Sequence, residues 1–266
     1  MRSVVKILCI VAFVAGYVGA DEARVLKQGV YKSLGFMSGY WHYGEIGMEG
    51  ERVMRIDTLF FGLVGQLGMA TSSGVKLEGN LRTNFAYGLY TGGVLDVDDS
   101  SRNGQRLYSA IGGWNSDMEL KGGYNLLPVS LNTTLYLQSG VGYYFSRTEF
   151  ITMDRLQGYL YVPLELEGEH ALNSNLALNF GLGYRYFIAG HHYSAASKYG
   201  LEDDYRVTQK EGFGVSGFLG MAFVNKDSGV RNVRLIYEYW NVGAATPMRT
   251  TSSDTLKPTA RSESVV

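Results

Sequence analysis

VKLEGNLRTNFAYGLY, running from Val75 to Tyr90, decides the fold. Its odd positions read Val75, Leu77, Gly79, Leu81, Thr83, Phe85, Tyr87 and Leu89. Its even positions read Lys76, Glu78, Asn80, Arg82, Asn84, Ala86, Gly88 and Tyr90. Successive side chains of a β-strand point to opposite faces, so the stretch predicts a strand with one apolar and one polar face. It is also far longer than the usual strand of about 5 to 6 residues.

The same alternation recurs along the chain. Strands are predicted over Ser33–Tyr43, Arg55–Met69, Val75–Tyr90, Asp117–Leu127, Leu131–Arg147, Leu156–Glu169, Asn175–Ala189, Gly212–Val224 and Asn232–Val242. Short turns of Ser, Asn, Gly and Pro lie at Thr71–Gly74, Pro128–Ser130, His170–Ser174 and Asn225–Gly229. Longer polar stretches alternate with them at Gly44–Glu51, Thr91–Ser116 and His191–Glu211, with Thr148–Arg155 the short exception. Short turns on one rim and long loops on the other match a transmembrane β-barrel of the bacterial outer membrane. The expected class is all-β: a transmembrane antiparallel up-and-down barrel of about 8–10 strands, nine being counted.

The two faces carry different expectations. Aromatics gather at the loop end of the strands, and Tyr87, Tyr143, Phe145, Tyr184, Tyr186, Tyr237 and Tyr239 are read as an interfacial girdle. Tyrosine suits that level because its ring is apolar and its tip polar. The opposite faces carry Lys76, Glu78, Arg82, Glu119, Lys121, Glu165, Glu167, Arg185, Arg234 and Glu238. Five basic and five acidic groups in a narrow lumen predict a paired plug, whereas an ion channel would show a bias of one sign. A soluble lipocalin-type barrel, with the apolar faces inside, remains the alternative, because alternation alone does not distinguish inside from outside.

The N-terminus reads as a signal peptide. Arg2 and Lys6 supply its positive region, Ile7 to Val18 its apolar stretch, and Val18-Gly19-Ala20 its cleavage site. The domain reading is therefore residues 1–20 signal and 21–266 barrel, with 244–266 an outer loop or truncated tail. The single cysteine, Cys9, leaves with the signal, so the mature chain is expected to lack disulfides and thiol chemistry. The remaining 246 residues (266 − 20) carry 22 basic and 25 acidic side chains, with no basic excess to suggest nucleic acid. Export to a Gram-negative outer membrane follows. The expected partners are outer-membrane lipid and lipopolysaccharide, the barrel-assembly machinery and a host surface ligand. No cofactor or metal is expected.

Nine strands is an odd count where single-chain bacterial barrels are even. Ala244–Val266 shows no alternating run and ends Ser264-Val265-Val266 without an aromatic. The expectation is a truncated or frame-shifted ten-stranded parent. A miscount giving eight, or a closing strand placed elsewhere, are the alternatives.

With its signal, long amphipathic strands and alternating turn lengths, the chain resembles the small outer-membrane barrels of the OmpA-like and opacity-like group. The stretch Arg234–Gly243, RLIYEYWNVG, resembles the penultimate strand of small outer-membrane proteins from Helicobacter-type bacteria. In those, a Glu-Pro-Lys loop and a strand ending in Phe follow, of which Leu256-Lys257-Pro258 is a degraded echo. The resemblance implies a structural, adhesive or porin-like surface role and no defined active site. His192-Tyr193-Ser194 resembles the His-x-Ser element of outer-membrane lipid A deacylases, but Ala195 stands where those usually have Asn. Asp98-Asp99, Asp203-Asp204 and His191 could take the roles of omptin-type proteases. Asp96, Asp98 and Ser100 have alternate-ligand calcium spacing but lack the Gly and Glu that complete such a loop. All three read more simply as polar rim loops, and the chain is read as non-enzymatic.

Overall fold

The computed structural model describes residues 12–15, 26, 29–46, 52–93, 100–102, 104–128, 132–149, 154–195, 197, 204–224, 229–243, 246–247 and 261–265. Nine long antiparallel strands dominate: β1 (Gly29–Ile46), β2 (Arg52–Ala70), β3 (Val75–Gly93), β4 (Arg106–Asn125), β5 (Thr133–Glu149), β6 (Asp154–Asn173), β7 (Leu176–Ala195), β8 (Gly212–Val224) and β9 (Val230–Val242). Each pairs with its neighbour in sequence, giving a curled up-and-down sheet. Every predicted strand is present, and most run further than the alternation suggested. The stretch Thr91–Ser116, predicted as a long loop, is mostly strand, because β3 continues to Gly93 and β4 begins at Arg106. Likewise β7 continues to Ala195, and Tyr205–Gln209 folds back on it as a hairpin extension. Backbone pairing continues there without the apolar alternation that marks the lower strands.

The turn after β2 shows how the short connections work. Gly74 has a φ of +89°, the left-handed region that suits glycine. It donates its N–H to Thr71 O at 3.1 Å, and Thr71 N–H bonds Val75 O at 2.8 Å. Glycine is also needed on the wall, where an ideal Cβ at Gly142 would lie 2.2 Å from Tyr161 Cζ.

Within the segment read as an outer loop or truncated tail, Arg261–Val265 is strand. These residues form a short strand that pairs antiparallel with β9 over Tyr239–Val242 on one side and with β1 over His42–Ile46 on the other. Ladder pairing needs only backbone groups, so a polar segment without alternation can take this position. It occupies a tenth strand position at the outer end. Lower in the same seam, Ala12–Ala15 pairs with β9 over Arg231–Arg234. The proposed cleavage site, Cys9 and Leu256-Lys257-Pro258 lie outside the described residues.

The register fixes the barrel geometry. A row of paired residues runs from Val30 through Met69, Leu77, Gly122, Ser139, Leu164, Tyr184, Val215, Tyr239 and Val265. It returns to β1 at His42, twelve residues further along (42 − 30). A stagger of twelve over ten strand positions tilts the strands by about 40°. At that tilt a 20-residue strand such as β4, β6 or β7 rises about 50 Å.

Candidate functional site: the filled interior and the outer rim

The wall is apolar outside. Val30, Leu34, Phe36, Leu63, Leu67, Leu77, Leu81, Leu120, Leu164 and Leu182 all stand exposed on the outward face. Soluble monomers rarely expose contiguous apolar surface beyond a few hundred Å². The seven predicted girdle residues are outward too: Tyr87, Tyr184 and Tyr186 are exposed, and Tyr143, Phe145, Tyr237 and Tyr239 are half-buried.

All ten predicted interior charges lie inside, and ion pairs join them with Asp117 into a single network. Lys76 Nζ lies 2.5 Å from Glu167 and 3.1 Å from Glu78. Lys121 Nζ contacts Glu165, lies 3.3 Å from Glu119 and reaches Glu78 at 3.8 Å. Arg185 joins Glu119 (3.4 Å) to Glu238 (2.6 Å). Arg82 joins Glu238 (2.7 Å) to Asp117 (3.4 Å). Arg234 lies 4.0 Å from Glu167. Asp117 makes the count in this network six acidic against five basic groups. It sits on the same strand face as Glu119 and Lys121, so its place was visible in the phase. Tyr161 was missed as a participant: its hydroxyl donates within 3.1 Å of both Asp117 and Glu119. A cavity of about 110 Å³ remains between the clusters, lined by Glu78, Arg82, Glu165, Arg185, Phe218 and Arg234 among others.

Above the charges the interior turns apolar. Tyr144, Tyr159, Tyr161, Phe187, Trp240 and Val242 form one buried cluster. Met37, Trp41, Tyr43, Met54, Ile56, Phe60, Ala86, Tyr90 and Ile111 form another. Trp240 stacks edge-on to Tyr161 at 5.0 Å, and Arg185 lies over its ring at 5.3 Å. Aromatics at the loop end of the strands therefore have two destinations. Trp41, Tyr43, Tyr90, Tyr144, Phe187 and Trp240 are core, while their neighbours in phase with leucine form the outer ring.

The His192–Ser194 pair reaches the interior through a bulge. Pairing of β6 with β7 shifts between Leu160 and Tyr161, leaving Ile188 unpaired. The extra residue turns His192 and Ser194 inward and His191 outward against Tyr143. Gln157 Nε2 donates to the Tyr43 hydroxyl at 2.8 Å and to His192 Nδ1 at 3.0 Å, and Tyr43 donates to Glu45 at 3.0 Å. His192 Nδ1 is thus an acceptor, and the ring proton on Nε2 goes to Ser194 Oγ at 2.9 Å. A serine nucleophile needs the reverse, an Nε2 that accepts its proton. Turning the Gln157 amide over would set its oxygen against the Tyr43 oxygen, whose proton is held by Glu45. Arg155 closes the group at 2.6 Å from Glu45.

Of the protease-like acidic pairs, Asp98, Asp99 and Asp203 lie outside the described residues, as does Asp96 of the calcium-like spacing. Asp204 accepts from Tyr193 (2.7 Å) and from the Ser197 amide (3.0 Å) and hydroxyl (2.7 Å). These bonds hold its carboxyl below the usual range. No protein-family model matches the chain, and no curated protein matches it significantly.

Proposed function

We propose that this chain is a non-enzymatic barrel of the Gram-negative outer membrane, similar to the OmpA-like and opacity-like group, with a filled interior and with its function carried by the outer connections. One observation carries the reading: leucine and phenylalanine cover the outside of the wall, while eleven linked charges occupy the inside. A soluble lipocalin-type barrel has the opposite arrangement. In hydrocarbon every backbone polar group must be satisfied within the protein, and the continuous pairing from β1 to β9 supports that environment. Segments on a rigid scaffold are where recognition usually sits, so the connections between β3 and β4 and around Ala195–Tyr205 are the proposed contacts with host or environmental surfaces. Lipid, lipopolysaccharide and the assembly machinery are the remaining proposed partners.

Membrane fractionation with heat-modifiable gel mobility tests the reading. Recovery with the outer membrane, and an unboiled band that migrates apart from the boiled one, is the expected result. Recovery as a soluble folded protein would overturn it. Protease treatment of intact cells should then cut within 94–105 or 196–204, and resistance at both in inserted protein would remove the surface-contact role.

A further inference from the structure

We infer that lipid covers only the lower part of the barrel wall, and that the outer part stands in water as a conventional barrel with its own apolar core. The inference rests on the membrane reading above. The longest strands rise about 50 Å, roughly twice the ~25 Å apolar band of such barrels, so about half of their height needs another environment.

The side chains show where the change falls. Along the register, the outward aromatics Tyr40, Phe61, Phe85, Phe145, Tyr186 and Tyr239 come to one level, within about 5 Å of one another in height. Below it the outward face is leucine and the inward face is charge. Above it both faces change. Val53, Leu59, Tyr87 and Leu89 still stand outward, but charged residues join them: Arg55, Asp57, Arg106, Arg147 and Glu149, with Arg55 ion-paired to Asp57 at 2.8 Å and Arg147 to Glu149 at 2.8 Å, and Tyr108 beside them. Inward, Met54, Ile56, Tyr90 and Ile111 are buried in one apolar cluster, which lies beside the Arg155–Glu45 pair.

Such a change has a direct physical cause. An apolar interior needs no polar lining to be stable, and it gains from burial only if water lies outside. Charged side chains on a lipid-facing wall are destabilising, arginine and lysine most of all. Polar outward residues and an apolar interior on the same stretch of strand therefore fit water and do not fit lipid. The aromatic level is the boundary, as expected for rings that prefer the interface.

Single cysteines in a Cys9→Ser background test this in nanodiscs, where both membrane faces are open to solvent. Arg55→Cys, Tyr108→Cys and Arg147→Cys report on the outer wall, and Leu63→Cys, Leu81→Cys and Leu182→Cys on the lower wall. With a charged, membrane-impermeant maleimide, the outer three should label within about tenfold of the urea-unfolded rate, and the lower three about 100-fold more slowly. Outer positions as slow as the lower ones would overturn the inference while leaving the membrane reading intact. Rapid labelling of all six would overturn the membrane reading, and this inference with it.

Discussion

Glu238 shows what a single residue does in this interior. It accepts from both Arg82 (2.7 Å) and Arg185 (2.6 Å) and is almost fully buried. A buried ion pair adds little net stability over an apolar replacement, but removing one partner strands the other charge. Glu238→Leu should therefore lower stability by about 3–5 kcal/mol, read as the urea midpoint at which the compact gel band disappears. Combining it with Arg185→Met should recover part of that loss, because the stranded guanidinium goes too. Gly142 matters through size instead: alanine there would press into the Tyr161 ring and should cost about 1–3 kcal/mol by the same assay. At the rim, Asp204 holds Ser197 as a carboxylate. Its folded pKa is depressed by those hydrogen bonds, so the contribution is present above the ordinary carboxylate range and lost as pH falls through the lowered value. Exchange of the Ser197 amide, corrected for intrinsic pH dependence, should accelerate on acidification, and Asp204→Asn should remove most of that dependence.

At the scale of the element, the bulge in β7 governs which side chains meet. Deleting Ile188 should restore the unbroken register and turn His192 and Ser194 outward. Intact inserted protein would then show a maleimide-reactive Ser194→Cys only in the deletion background, and equal reactivity in both backgrounds would contradict the bulge as the cause. This is also where sequence reading reached its limit. The phase of Val75–Tyr90, Asp117–Leu127 and Leu156–Glu169 was legible, because leucine on one face and charge on the other leave a single assignment. The ten interior charges followed directly. Tyr90, Tyr144 and Trp240 did not, since an aromatic satisfies either face and only the phase relative to leucine separates core from girdle. Strand ends such as Arg106–Asn115 were hidden because the pattern changes there, and a strand without the lower alternation resembles a polar loop. Arg261–Val265 carried no side-chain signal at all; backbone pairing alone places it.

For the molecule as a whole, the aromatic cluster around Trp240 sits above the ion-pair network and the small cavity within it. Wild-type protein in planar bilayers should show no steady conductance. Trp240→Ala combined with Tyr159→Ala should admit water from above and give resolvable current steps, whose size changes when Arg82 or Glu165 is neutralised. Steady wild-type current would favour a pore over a plug. The network also has a timetable. Lys76 and Glu167 are 91 residues apart, and Arg155 and Glu45 are 110 apart. No hairpin contains such a pair, and joining ends so distant is slow. Until the sheet curls, Lys76 has Glu78 on its own strand but Glu167 and Glu45 cannot meet their distant cations. These two contacts can therefore close only after the hairpins have formed, so the interior keeps its water until the sheet curls.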